Sequence, residues 1–243
     1  GTTRVLDFCA SVDGLRRLFH VSSIVTAGGR EGLVLESELD VGQTFRNHYE
    51  STKFESEKLV RARAAEVPSV IFRPAVVVGH SQTGETPKAD GPYLMVRAML
   101  RTPAWLPYAH IGTGVSRMNV VPVDFLVDAM VHIAAREDAV GRTFHIADPD
   151  PLPLRDFVDL TLQTLGRRPA SAVLSKQTAE RILGFGLIRK AAGVPLESLA
   201  YIDQDVRFDV TNTRAALGDA VPFPDVRAYW PRLVRWIVEH PEV

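Results

Sequence analysis

The chain has 243 residues, 46% of them hydrophobic, and its formal net charge is −1. This apolar share can fill the core of one large domain or of two unequal lobes, which excludes a disordered chain. A charge near zero gives no general attraction to nucleic acid or to an anionic membrane, so we expect no nucleic-acid partner. No segment approaches the ~20 apolar residues of a membrane-spanning helix. The sequence leaves the oligomeric state open.

The cysteine and histidine content excludes several kinds of site. Cys9 is the only cysteine, which excludes an intrachain disulfide and a cysteine-rich zinc site and favours a reducing cytoplasmic location. The histidines do not follow ligand spacing, so we expect no metal.

The first elements alternate between helix and strand. Apolar residues at helical spacing predict a helix at 2–12, and the run 18–21 predicts a short buried strand that ends at Ser22 and Ser23. The chain begins at Gly1, without an initiator Met and inside this helical pattern, so we expect earlier elements of the fold to precede it. A polar, Gly-rich passage then leads to a long predicted helix at 49–65.

The α/β alternation continues further along the chain. Residues 70–79 form a nearly continuous β-branched run, typical of a parallel strand covered on both faces, with Pro74 marking its end. Further strands are predicted at 119–123 and 143–147, with a helix at 124–136 between them. The passage 83–114 is broken by prolines and is predicted as an insertion over a site, whereas residues from 151 onward are mainly helical.

One pair of side chains could take part in proton transfer. Tyr49 and Lys53 are four residues apart and therefore share one helix face. A free phenol has a pKa near 10, and an adjacent ammonium favours the phenolate by about 1 to 3 units, so this pair could exchange a proton near neutral pH. Such pairs also decorate solvated helices, but here predicted strand ends lie upstream at Ser23 and downstream at Pro74, where open α/β sheets place their sites.

The order and spacing of Ser22-Ser23, Tyr49-x-x-x-Lys53 and Arg73-Pro74 with residues 75–79 resemble extended short-chain dehydrogenases/reductases. The resemblance covers nearly the whole chain. It implies a partial Rossmann-type, doubly wound parallel sheet with a smaller, mainly helical C-terminal substrate lobe. The Rossmann part would comprise 1–82 and 117–148, and the substrate lobe 83–116 and 149–243.

The same resemblance implies a role for each matching residue. Ser23 would hold the reacting oxygen, Tyr49 would exchange its proton, and Lys53 would hold the nicotinamide ribose, with Ser22 structural. Lys58, on the same helix, matches no family position and is predicted to be an ordinary exposed lysine. These roles agree with the need of a developing oxyanion for preplaced donors. The cofactor would be NADP or NAD, in contact with Tyr49, Lys53, Pro74, Ala75, Val76 and Val77.

The glycine-rich loop that binds the cofactor phosphates is absent from this chain. Such a loop follows the first strand of the fold, and a residue about 20 positions later distinguishes NAD from NADP. Gly112-Thr113-Gly114 lacks the third glycine, and Gly184-Phe185-Gly186 follows no predicted strand, so both are predicted as turns.

Three further segments, 80–85, 144–152 and 207–214, resemble thioester reductase domains and fatty acyl-CoA reductases. The resemblance implies a small-molecule or carrier-bound acyl thioester as substrate. His80, Ser81 and Arg117 are candidate substrate-binding residues. Alternatively, His80 and Ser81 order a loop, Arg117 pairs with a local carboxylate, and Asp124 caps its helix, which we favour for Asp124.

Other functions remain open at this level. Sugar-nucleotide epimerases or dehydratases and 3β-hydroxysteroid-type dehydrogenases use the same three residues. A nonenzymatic dinucleotide-sensing scaffold on the same fold is a rival from another class, although such proteins usually lose the tyrosine or the lysine. A third possibility is that the chain by itself binds no cofactor and is inactive.

Overall fold

The structure is a computed structural model that describes residues 1–103, 105–184 and 201–243. Its helices are α1 (Thr2–Ala10), α2 (His48–Ala62), α3 (Pro92–Arg101), α4 (Val123–Ala134), α5 (Leu154–Thr164), α6 (Lys176–Gly184), α7 (Thr211–Leu217) and α8 (Val226–Glu239). Its strands are β1 (Leu18–Val21), β2 (Gly32–Val34), β3 (Ser69–Pro74), β4 (Val76–Val78), β5 (Ala109–Ile111), β6 (Arg117–Met118), β7 (Val120–Pro122), β8 (Thr143–Ile146), β9 (Leu152–Pro153), β10 (Ala172–Leu174) and β11 (Val206–Phe208). Within the described ranges, no helix is long and apolar enough to cross a membrane.

Contacts divide the chain into two compact units. Unit 1 comprises Gly1–Val77, Phe125–Pro149 and Val206–Phe223, and unit 2 comprises Val78–Asp124, Asp150–Asp205 and Pro224–Val243. The predicted boundaries differ most at 206–223, which joins unit 1 because β11 pairs with β2 and α7 packs against β8. The division into a Rossmann part and a substrate-binding lobe stays a prediction.

Unit 1 is built on a parallel sheet with strand order β1-β3-β8. Leu18 lies opposite Ser69 across the first pair, and Ile71 lies opposite Thr143 across the second. Every residue of β3 is buried, as expected for the central strand of a parallel sheet covered on both faces. The predicted α/β class is confirmed.

Local chemistry explains where the elements of unit 1 begin and end. Strand β1 has its predicted bounds, but the prediction that it is buried is wrong, since Phe19 and Val21 are 42% and 44% exposed. Helix α2 begins at His48 because Asn47 caps it, its Oδ1 accepting the Glu50 N–H at 2.9 Å. The run predicted as one strand at 70–79 is divided into β3 and β4, since Pro74 ends the first. Helix α1 ends at Ala10, two residues earlier than predicted.

Unit 2 is mainly helical, with the short strand pairs β5–β10 and β6–β9. Its core centres on Trp230, whose ring centroid lies 4.5 Å from that of Phe157 and 5.6 Å from that of Tyr93. Helix α3 lies within 83–114, the passage whose prolines led to the prediction of an irregular insertion. Pro92 is accommodated because it occupies the first turn, where a backbone N–H has no helical acceptor.

Candidate active site

Ser23 lies directly after the parallel strand β1. Its Oγ donates to the Pro74 carbonyl at 3.4 Å and accepts the Val25 N–H at 3.4 Å, so it also caps the short 3-10 turn Ile24–Ala27. The neighbouring Ser22 is 3% exposed and belongs to a buried network. Ser23, which is only half-buried, is therefore the more accessible hydroxyl of the two.

Tyr49 and Lys53 lie one turn apart in the N-terminal half of α2. The Lys53 Nζ donates to the Val21 carbonyl at 3.1 Å, which holds the ammonium two residues from Ser23. The Tyr49 side chain is 57% exposed, and its hydroxyl makes no hydrogen bond within the described part of the chain. A ligand could therefore reach the phenol. All three predicted catalytic residues belong to unit 1.

His20 is a titratable residue of β1 that interacts electrostatically with Glu57 and Lys53. Burial lowers the pKa of His20, the nearby Glu57 carboxylate raises it, and the Lys53 ammonium lowers it further. Among the described residues, its Nε2 has no hydrogen-bond partner. A neutral imidazole avoids repulsion by the Lys53 ammonium.

A buried ion pair lies behind the predicted catalytic residues. Glu57 is fully buried, and its carboxylate accepts from Arg73 at 2.9 and 2.7 Å and from the Ser22 hydroxyl at 2.7 Å. Burial alone would raise the pKa of Glu57, but the bonds and charge of Arg73 and the Ser22 bond lower it below its usual value. Glu57 is therefore an anion at neutral pH.

Arg73 extends this network to β8. Its Nη1 donates to His145 Nε2 at 3.1 Å, while His145 Nδ1 donates to the Asp209 carbonyl at 2.7 Å. Burial and the Arg73 charge lower the pKa of His145 to about 4, so the imidazole is neutral and can accept from the guanidinium. Sequence reasoning missed Glu57 and His145. The available signal was an arginine inside an apolar strand, which requires a buried acceptor.

The segment after β3 offers surface to a flat ligand. Ala75 is buried and its N–H donates to the Ile146 carbonyl at 2.9 Å, whereas Val76 and Val77 are 40% and 42% exposed. The residues present therefore fit the nicotinamide half of a dinucleotide: an ammonium, an accessible phenol and two exposed valines in unit 1. The sequence contains no glycine loop for the phosphates.

The three candidate substrate-binding residues lie in unit 2. The Ser81 N–H and hydroxyl donate to the Asp124 carboxylate at 2.9 and 2.5 Å, and His80 Nδ1 accepts the Gln82 N–H at 3.2 Å. The two residues thus order the loop after β4. Arg117 donates to Asp150 at 3.3 Å and to the Pro151 carbonyl at 2.8 Å. Their predicted contact with substrate stays a prediction.

The prediction that Asp124 caps its own helix is wrong. Helix α4 already begins at Val123, so Asp124 lies within the first turn instead of at the capping position. Its carboxylate binds Ser81, and these hydrogen bonds lower the pKa of Asp124 although burial opposes them. Lys58, by contrast, is an exposed lysine that pairs with Asp40 at 2.6 Å.

The predicted turn at 112–114 has the conformation that glycine favours. Gly112 and Gly114 have φ values of +85° and +86°. A Cβ on the first would meet Asp203, and one on the second would meet the Arg155 guanidinium. The glycines therefore permit close approach of these side chains. Of the other predicted turn, Phe185 and Gly186 lie outside the described residues.

The fold and the pattern of Ser23, Tyr49 and Lys53 define the class of extended short-chain dehydrogenases/reductases. The chain belongs to the NAD-binding family described as Male sterility protein, whose model matches residues 1–130, just over half of the chain. The expected family resemblance is thereby confirmed.

Individual relatives agree with this family. The aldehyde reductase lnbA of Aspergillus flavus is 28% identical over 181 residues, which cover 68% of this chain but only 17% of that protein. The chain thus spans less than a fifth of the length of the curated relatives that it matches first.

Solved structures show the same fold. The terminal R domain of the myxalamid PKS-NRPS pathway is 21% identical, with a TM-score of 0.74 over 93% of this chain and 59% of that one. The UDP-glucuronic acid 4-epimerase of Bacillus cereus, solved with NAD, is 16% identical, with a TM-score of 0.69 over 98% of this chain and 66% of that one.

Proposed function

We propose that the chain is the catalytic part of an NAD(P)H-dependent reductase that converts an acyl thioester, bound to CoA or a carrier protein, to an aldehyde or alcohol. The observation that supports the proposal is the contact of the Lys53 ammonium with the Val21 carbonyl, two residues before Ser23, from the same helix that carries the accessible Tyr49. The family and its aldehyde reductase relative support a reductase. The R domain of a PKS-NRPS pathway supports a carrier-bound substrate, and the single cysteine supports a reducing cytoplasm.

Each residue has a distinct role in the proposed reaction. The nicotinamide, when bound, supplies a hydride to the thioester carbonyl carbon. The Ser23 hydroxyl donates to the carbonyl oxygen, and the Tyr49 phenol gives that oxygen a proton as charge develops on it. Collapse of the resulting hemithioacetal releases the aldehyde and the thiol. Lys53 holds the ribose hydroxyls of the cofactor.

The test uses the protein that carries this chain, supplied with acyl-CoA thioesters and with NADPH or NADH. We expect consumption of reduced nicotinamide together with release of one free thiol per aldehyde formed. Tyr49→Phe should lower kcat by about 10²- to 10⁴-fold and leave cofactor affinity little changed, because the phenol acts on the substrate oxygen. Lys53→Ala should weaken both turnover and cofactor binding.

Two outcomes would contradict the proposal. Unchanged turnover in Tyr49→Phe would remove the phenol from the chemistry. Conversion of UDP-sugars without any thiol release would favour an epimerase instead, the function named for one of the structural neighbours.

A further inference from the structure

We infer that Glu57 is a positioning residue that fixes the catalytic helix against the serine strand, and that it does so through the Ser22 hydroxyl. This inference rests on the proposed function for its consequence on turnover. Its structural content stands on contacts within unit 1.

Three consecutive residues at the end of β1 are held by three different contacts. The Val21 carbonyl accepts from Lys53 at 3.1 Å, the Ser22 hydroxyl donates to Glu57 at 2.7 Å, and the Ser23 hydroxyl donates to Pro74 at 3.4 Å. The Ser22 N–H also donates to the Phe72 carbonyl at 2.7 Å. The middle contact is the only one of the three side-chain contacts that is fully buried.

Glu57 connects all segments that carry the predicted catalytic residues. It lies four residues after Lys53 on α2, so both side chains lie on the face directed at β1. Its carboxylate also holds Arg73, the residue before Pro74, through two hydrogen bonds. Arg73 is fixed in turn by His145 and by the Glu38 carbonyl at 2.7 Å. One carboxylate thus ties α2 to the ends of β1 and β3.

The chain offers a matched control on the same carboxylate. Arg61 donates to Glu57 at 2.9 Å, but its other contacts are the Thr143 hydroxyl and the Ser37 carbonyl, both at 2.9 Å. Thr143 and Ser37 both lie away from β1. Ser22→Ala removes from Glu57 a neutral donor that is adjacent to Ser23. Arg61→Met removes a donor together with the charge of an ion pair, on the side of Glu57 away from β1.

The first measurement is hydrogen–deuterium exchange on the 243-residue chain, which needs no cofactor. In Ser22→Ala we expect faster amide exchange in peptides covering 18–27 and 48–57. In Arg61→Met the increase should fall instead on residues 34–40 and 143–146. Unchanged protection at 48–57 in Ser22→Ala would overturn the inference, because Glu57 would then hold the helix without Ser22.

The second measurement is the split between kcat and KM in the active protein. Ser22→Ala should lower kcat by about 10- to 100-fold with KM changed less than about twofold, as expected for a misplaced catalytic group. Arg61→Met should keep the parent kcat. Equal loss of kcat in both variants would reduce Glu57 to a structural role and overturn the inference. If Tyr49→Phe retained turnover while the exchange pattern held, the proposed function would fail and the positioning contact would stand.

Discussion

Arg73 and His145 show how one charged residue determines the protonation of its neighbour. Arg73 is 1% exposed, and a buried guanidinium is tolerated only when its donors are satisfied. Glu57 supplies the compensating charge, and His145 supplies a neutral acceptor. Protonation of His145 would place two cations 3.1 Å apart, so the folded state favours the neutral imidazole.

This arrangement predicts how stability depends on pH. The pKa of His145 is about 4 in the folded chain and near 6.5 in the unfolded chain, so between these values the unfolded state binds more protons. Stability should therefore fall as the pH is lowered through this window. Between pH 7 and pH 5 we expect a loss of about 2 kcal/mol from this residue.

Urea unfolding of the wild type and of His145→Gln at both pH values measures this loss. Glutamine can still accept from Arg73 but does not titrate. The decrease between pH 7 and pH 5 should be about 2 kcal/mol smaller in the variant. An equal decrease in both proteins would show that carboxylates, and not His145, cause the acid sensitivity.

At the scale of elements, helix α7 depends on a carboxylate from a distant segment. Glu36 is 1% exposed and accepts the Asn212 N–H at 2.5 Å, the Thr213 N–H at 3.2 Å and the Thr213 hydroxyl at 2.9 Å. It also accepts the His145 N–H at 2.9 Å. Burial raises the pKa of Glu36, and these four donors offset part of that cost. The N-terminus of the helix thus has an acidic acceptor from outside the helix.

We expect Glu36→Ala to lower the free energy of unfolding by about 3 kcal/mol, because it leaves several buried N–H donors without an acceptor. The control is Glu38→Ala on the same segment. Glu38 pairs with Arg30 at 2.6 Å but is partly exposed, so its loss should cost less than about 1 kcal/mol. Urea denaturation of both variants gives the comparison. Similar losses would mean that Glu36 is not the acceptor on which α7 depends.

The sequence allowed prediction of those elements whose determinants are local. In β1, in β3 and in the Tyr49–Lys53 pair on α2, the residues that form the pattern lie within a few positions of one another. Strand β2 was not predicted because its partner β11 lies far along the chain, at Val206–Phe208. The same holds for the Glu57–Arg73–His145 network, whose last bond spans 72 residues. Local periodicity carries no information on such pairings.

At the scale of the whole molecule, the 243-residue chain should bind NADPH and NADH poorly although its predicted catalytic residues are present. The pyrophosphate normally lies on loop amides at a helix N-terminus, and no glycine loop of that kind occurs in the sequence. At the Gly112–Gly114 turn, the Asp203 carboxylate accepts from the Thr113 N–H and hydroxyl and would repel an anion.

Calorimetric titration of the chain with both nucleotides is the measurement. We expect dissociation constants weaker than about 100 μM, since among the described residues only the nicotinamide half of the nucleotide finds groups of the right kind. Micromolar affinity for either nucleotide would mean that another segment of this chain holds the phosphates.

The contact between Glu36 and Thr213 joins residues 177 positions apart, and this separation has a consequence for biosynthesis. At about 5 to 20 residues per second, a ribosome adds those residues in about 9 to 35 s. Throughout that interval the nascent chain carries a hydrated Glu36 carboxylate and an unpaired β2. Strand β2 and Glu36 of unit 1 therefore acquire these partners only after residues 206–213 have been translated.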